Sequence, residues 1–261
     1  MTVTVISEKA NIGGNVTVKA GAIIEDGVTI GEGSYIDYGA VLKENVTVGA
    51  NSFIGSGCIL GEFLADFFED KENKKHPLVI GDNAVIRSGT IIYGDTRIGN
   101  DFQTGHRVTI REKTTIGNFV SIGTISDIQG DCSLGNYVRL HSNVHLGQKT
   151  ILHDYVWVFP YTVTTNDPAP PSDILHGVEV FEYAVICTGS VILPGLKIGK
   201  DSIVGAGSIV TKDVETGMAV VGNPAKAICP VVDIKADGKD HYPWRDYFDR
   251  GMPWTIETDK K

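Results

Sequence analysis

Read in steps of six, the chain keeps an aliphatic residue in one phase for most of its length. The first run is Ile6, Ile12, Val18, Ile24, Ile30, Ile36, Leu42, Val48, Ile54 and Leu60. After a break the phase resumes at Ile80, Ile86, Ile92 and Ile98, skips at Thr104, and continues from Ile110 in steps of six to Val158. A third run carries Val180, Ile186, Ile192, Ile198, Val204 and Val210. Self-similarity at a fixed short period is the signature of a solenoid, in which each unit buries its apolar side only against its neighbours.

Six residues are too few for a helix pair but suit one short strand and a corner. Three units close one triangular coil, so the legible repeats predict roughly ten coils of parallel strands, at about 4.8 Å per coil, in a rod about 48 Å long. Many repeats place Gly, Asn or Asp at the corner, as in Gly81-Asp82-Asn83, Gly99-Asn100-Asp101 and Gly117-Asn118. These residues tolerate the positive φ that a tight corner needs. Each inward aliphatic is expected to contribute about 1.5–3 kcal/mol on burial.

The unbroken phase argues for one long solenoid with loops and a tail. A formal charge of −9 disfavours nucleic-acid and membrane-surface binding. From residue 80 to 150, however, Arg87, Arg97, Arg107, Arg111, Lys113, Arg139 and Lys149 slightly outnumber the acids, a balance suited to an anionic ligand. Cys58, Cys132, Cys187 and Cys229 form no CxxC pair, so reduced, mostly buried thiols are expected, with neither disulfide nor zinc site. No apolar run reads as a signal peptide or a membrane span, and a cytoplasmic location is expected.

The repeat breaks twice, at 61–79 and at 164–179, within a solenoid spanning 1–226; residues 227–261 read as a capping tail. The first insertion holds Phe63, Leu64, Phe67 and Phe68 ahead of a charged run, and is expected to bind a ligand or contact a neighbouring subunit. The second is proline-rich and extended. The tail carries Tyr242, Trp244, Tyr247, Phe248 and Trp254, suited to covering a solenoid end or packing on another subunit.

The stretch Ile198 to Val214, followed by Val221-Gly222-Asn223-Pro224-Ala225-Lys226, resembles the closing coils of hexapeptide-repeat acyltransferases. Upstream, residues Asp101 to Glu112 are similar to a segment of nucleotide-sugar N-acyltransferases, and the whole is most like enzymes that acetylate dTDP-3-amino-3,6-dideoxyhexoses. The resemblance implies an all-β, left-handed parallel β-helix, a hand that the period alone leaves open. It further implies a homotrimer with sites between subunits, acetyl-CoA as acyl donor, and a nucleotide-linked amino sugar as acceptor. No metal is expected. Gly189, Gly205, Ala206 and Gly207 would leave room for a pantetheine arm, with Lys212 and Lys226 placed for the phosphates of CoA.

Members of this family that use a histidine base often carry it third in its repeat, counting the aliphatic as first. His106 stands there, whereas His141 and His153 stand second and His145 sixth. One coil is eighteen residues, so Ser88, His106, Thr124 and Ser142 are expected to stack in one row with Asn143 beside it. His106, Ser142 and Asn143 are the catalytic candidates; Arg87, Tyr93, Asp95, Arg107 and Thr124 are candidates for the sugar or its diphosphate. A neutral imidazole can take an ammonium proton or hold the amine in line. Asp127 and His145 also differ by eighteen and are expected to be stacked neighbours, as a base pair or as a structural contact.

Within acyltransferases another amine or a hydroxyl acceptor remains open at this point, and so do two functions of other classes. A zinc carbonic-anhydrase-like enzyme of the same fold needs ligand histidines two coils apart and then five residues apart; from His106 those positions hold Ser142 and Gly147. A non-catalytic β-helix would make the glycine rows mere packing.

Overall fold

A computed structural model describes residues 3–72, 76–236 and 238–240. The chain is an all-β, left-handed parallel β-helix. Its three sheets have eleven, ten and twelve strands, and nearly every strand pairs in parallel with the strand one coil away. The first coil sets the pattern: Val5–Ile6 begins the first face, Asn11–Ile12 the second and Thr17–Val18 the third. Ten complete coils follow this order, and an incomplete eleventh begins at Ile209–Val210. Among the described residues no helix is long and apolar enough to cross a membrane.

The in-phase aliphatics point inward and stack, as in Leu60 on Ile92 and Ile110 on Ile128. From Ile24 to Val210 they are almost completely buried. The first coil is the exception, with Ile12 and Val18 only partly buried and Ile6 46% exposed, because no coil lies beneath it. A second inward row, two residues before each aliphatic, escaped the reading by sixes. It holds mostly small residues such as Ala22, Ser34, Ala40, Ser52, Thr90, Ser126 and Val144, along with the larger Phe102, all buried. The hydroxyls in this row stay satisfied: Ser34 Oγ donates to the Gly49 carbonyl and accepts from the Ser52 N–H, both at 3.0 Å. Cys58 and Cys132 belong to this row, and burial pushes both thiols up to about 11, so they remain protonated and inert. Cys187 and Cys229 are only half buried.

The edge between the second and third faces is a side-chain ladder. Asp82, Asn100, Asn118, Asn136 and Asp154 each accept, through Oδ1, a backbone N–H of the preceding coil at 2.7–2.9 Å. On four successive coils the next residue in the corner is aromatic: Phe119, Tyr137, Tyr155 and Tyr183 stack at 4.8 Å between successive centroids. All four adopt positive φ, from 58° to 62°. Stacking offsets the cost of that conformation in residues with a Cβ.

Both insertions leave the same edge, between the first and second faces. Strands bound them more tightly than the loss of phase suggested. Ile59–Glu62 runs on past Gly61, and Leu78–Ile80 restores the second face, so 63–77 departs from the rod. Thr164 remains an inward residue of Val163–Thr164, and Val178 is already buried, so the second excursion begins at 165. In the first insertion Phe63 stacks on Phe67 at 3.8 Å, with the Lys43 ammonium 3.4 Å from the Phe63 centroid, while Phe68 stays 70% exposed.

The chain closes differently from a simple end cap. Ala225–Pro230 folds back antiparallel on Met218–Gly222, and Val231 then packs on the outside of the third face with Val185, Ile203 and Ala219. This part of the tail therefore covers a side of the prism, because the outward residues of the third face are apolar there. The five tail aromatics named above lie outside the described residues.

Candidate functional site

The edge that returns from the third face to the first carries the row predicted around His106. Ser88 Oγ lies 2.9 Å from His106 Nδ1, and the His106 backbone N–H donates to Thr124 Oγ1 at 3.2 Å. Asn143, at φ 59°, donates its N–H to the Thr124 carbonyl at 2.9 Å. Ser142 follows Thr124 in the same row. His106 is exposed, so its ring is open to a ligand. The Ser88 contact occupies Nδ1 and leaves Nε2 as the ring nitrogen open to a ligand.

Thr104, where the aliphatic phase fails, alters the ladder locally. In neighbouring coils this corner N–H bonds the backbone carbonyl of the inward residue, as Gly105 bonds Ile122 at 2.7 Å. Here the Arg87 N–H bonds Thr104 Oγ1 at 3.0 Å instead, and the Thr104 carbonyl accepts Arg87 Nη1 at 2.5 Å. One buried hydroxyl thus ties the Arg87 side chain back onto the rod beside Ser88 and His106. The missing aliphatic signalled this; its consequence for Arg87 lay in a coil-to-coil hydrogen bond with no sequence signature.

The same edge continues into the glycine lane. At Gly189 (φ 71°) and Gly207 (φ 67°) an added Cβ would meet nothing within 4 Å, so these glycines serve the corner conformation and border open space. Gly205 differs: Val221 Cγ1 sits 2.4 Å from where its Cβ would be, so packing requires it. Ala206 lies between Gly205 and Gly207. Lys226 pairs with Val221 across the final hairpin and so stands beside Gly205. Lys212 lies on the edge of the insertions. Both lysines line a cavity of about 390 Å³ at the end of the solenoid, floored by Val210, Val214 and Val220.

The structure does not gather every candidate. Arg107, at φ 54°, shares the His106 corner, but Tyr93 and Asp95 follow the first face and lie on the edge of the insertions. The Arg111 guanidinium stands 5.6 Å from the Tyr93 ring.

On the first face, between these two edges, Asp127 and His145 are stacked partners, with Nδ1 3.2 Å from Asp127 Oδ2. The same oxygen accepts from Gln129 Nε2 at 2.5 Å. The hydrogen bond from His145 outweighs burial and, helped by Gln129 and Arg111, holds the Asp127 carboxyl below the usual carboxylate range. Gln129 was missed by sequence reasoning and Arg111 was read only as one of several basic residues, although Tyr93, Arg111 and Gln129 are spaced by eighteen and so form a legible row. Among the described residues no three His, Cys, Asp or Glu side chains converge as a metal site.

Parts of the chain match family models: residues 27–62 match "Bacterial transferase hexapeptide (six repeats)", and 3–38 with 188–212 match "Hexapeptide repeat of succinyl-transferase". A Staphylococcus aureus 2,3,4,5-tetrahydropyridine-2,6-dicarboxylate N-acetyltransferase is 34% identical over 98 residues, which are 38% of this chain and 35% of that protein. A Synechococcus bifunctional protein GlmU is 29% identical over 160 residues, 55% of this chain and 34% of the relative. The chain spans about half or less of the length of the curated relatives it matches. Among solved structures, a UDP-N-acetylglucosamine acyltransferase from Bacteroides fragilis covers 88% of this chain and 74% of its own, at TM-score 0.45 and 19% identity.

Proposed function

We propose that this chain, which carries the six-residue repeat of bacterial transferases, is an acyl-CoA-dependent N-acyltransferase. Its acceptor in this reading is the amino group of a nucleotide-linked, dTDP-type 3-amino-3,6-dideoxyhexose, and acetyl-CoA is the donor. One observation carries the reading: the His106 row and the open lane at Gly189 and Gly207 are successive stretches of one edge. Ala206 stands five coils beyond His106, about 24 Å along the axis at about 4.8 Å per coil. An extended thioester arm lying in that lane reaches the imidazole with its acyl end, while its phosphates meet Lys226 and Lys212 at the end of the rod. The sequence resemblance around Asp101 to Glu112 supports the choice of acceptor, and the N-acetyltransferase among the partial relatives supports acyl transfer.

The chemistry follows from the geometry. A protonated amine is unreactive, and in this reading His106 Nε2 accepts its proton, Nδ1 being engaged by Ser88. The free amine attacks the thioester carbonyl, the carbonyl oxygen becomes an oxyanion, and collapse of the adduct expels the thiolate, which takes up a proton. No carboxylate backs His106 among the described residues, so in this reading much of the acceleration comes from holding amine and thioester in contact, an effect worth up to about 7–11 kcal/mol. Asn143 and Ser142, two coils on, line the path of the acyl group. The subunits assemble as homotrimers in this reading, with a neighbouring copy forming the other wall.

The test is thiol release from acetyl-CoA against a panel of dTDP- and UDP-linked 3-amino and 4-amino deoxysugars, with matched hydroxyl sugars and product masses. Turnover with one amino sugar and a mass gain of one acetyl group supports the reading. Turnover only with hydroxyl sugars, or with no member of the panel, overturns it.

A further inference from the structure

The outward residues of the first face form a stacked row, and that row is interrupted by one polar interval. On the early coils it is apolar: Val5, Ile23, Val41, Ile59 and Ile91. On the late coils it is apolar again: Val163, Val191 and Ile209. Three consecutive coils between them carry Thr109, Asp127 and His145. The fold does not require this, because aliphatic residues make the same coil-to-coil contact above and below.

The polar interval is internally organised. Asp127 Oδ2 accepts from Gln129 and stands 3.2 Å from His145 Nδ1, while Oδ1 has no protein partner among the described residues. The two side chains remain 38% and 41% exposed. Arg111, bound to Glu112 through two hydrogen bonds of 3.1 and 2.8 Å, walls the interval at the edge of the insertions. The two insertions leave that edge above and below it, from the coils of Ile59–Glu62 and Val163–Thr164. His106 enters this face three residues before Thr109.

We infer that this interval is the docking site for the hydroxyl-bearing pyranose ring of the acceptor, read by Asp127, His145 and Thr109. A carboxylate oxygen left without a protein partner accepts a sugar hydroxyl in a charge-assisted hydrogen bond. The imidazole Nε2, freed because Nδ1–H points to Asp127, accepts a second, and the Thr109 hydroxyl gives or takes a third. Holding the carboxylate by Gln129 and His145 before the ligand arrives lowers the ordering cost of binding. An acceptor lacking these hydroxyls leaves the carboxylate desolvated and unpaired, which is the basis for rejecting it.

The inference rests on the acceptor class proposed above. The experiment is calorimetric titration of the full chain, without acyl donor, with a dTDP-linked 3-amino-3,6-dideoxyhexose and separately with dTDP. Asp127→Asn and His145→Gln are each expected to weaken the nucleotide sugar tenfold or more and dTDP less than twofold, with oligomeric mass unchanged. Wild-type affinity in both variants overturns the inference alone, as does an equal loss for dTDP or a change in oligomeric mass. A wild-type chain that binds dTDP but not the sugar conjugate overturns the acceptor class, and this inference with it.

Discussion

Asn118 Oδ1 accepts the backbone N–H of Asn100, one coil earlier, at 2.8 Å, and lies 2.5 Å from where a Cβ on Gly99 would be. The ladder on that edge therefore exists because the preceding row is glycine. Gly99→Ala is expected to push Asn118 away or shift the backbone, costing about 1–3 kcal/mol as overpacking does. Urea unfolding would read this as a lower midpoint at unchanged slope; a wild-type midpoint would show that the ladder yields freely.

Tyr137 is the inner ring of a stack, 4.8 Å from both Phe119 and Tyr155, at φ 60°. Tyr137→Ala loses two ring contacts, about 0.5–1.5 kcal/mol each, and keeps the conformational strain. Tyr137→Gly loses the same contacts but relieves about 1–2 kcal/mol of left-handed strain. Alanine is thus expected to melt lower than glycine, the reverse of the order in a strand interior, and thermal denaturation of the pair decides it.

Thr104→Val restores the aliphatic phase yet is expected to destabilise. The Arg87 N–H would lose its 3.0 Å acceptor, and the alternative carbonyl already receives the Arg87 guanidinium. Leaving such a donor unpaired costs about 1–3 kcal/mol. Equilibrium unfolding of Thr104→Val beside Thr104→Ser, which keeps the hydroxyl, separates the lost hydrogen bond from lost packing.

His106→Gln keeps a polar side chain at the corner but removes the base that the proposed function places there. Its expected effect is a fall in kcat of about 10²–10⁴-fold if proton removal limits the reaction, with the KM for acetyl-CoA little changed. Steady-state thiol release measures both constants, and an unaltered kcat would assign the acceleration to positioning alone.

His141 stacks on Phe159 at 4.7 Å and Trp157 at 5.9 Å, and its pKa is lowered, first by burial and then by the Arg139 charge. The folded value lies below the unfolded value near 6.5, so between the two the unfolded chain binds more protons. Its contribution is fully present above about pH 6.5 and is lost as pH falls through that window, by at most about 1.4 kcal/mol per pH unit. Asp127, also lowered, acts in the same direction at a lower range, being complete above about pH 3.9. His141→Phe is expected to flatten the profile between pH 7 and pH 5 in chemical denaturation, and an unchanged profile would place the titration elsewhere.

Much of the site was legible because eighteen residues make one coil. That arithmetic placed Ser88, His106 and Thr124 in one row, and Asp127 against His145, before any coordinate. It did not separate the two edges of the first face. Tyr93 and Asp95 adjoin His106 by coil number, yet they lie across the face from it, because a coil neighbour is a spatial neighbour only at the same point of the repeat.

The sequence by itself determined the solenoid, its three-residue-type corners and the burial of one aliphatic per repeat, since a strict period leaves each unit one way to cover its apolar side chain. Only the tertiary structure decided which rows face outward together. It set the rerouted ladder at Thr104, the second inward row, the polar interval between apolar stretches of the first face, and the folding of the described tail onto a side of the prism. These depend on contacts between coils and on which outward surface is left apolar, and a six-residue pattern is blind to what lies one coil away until the corners have closed.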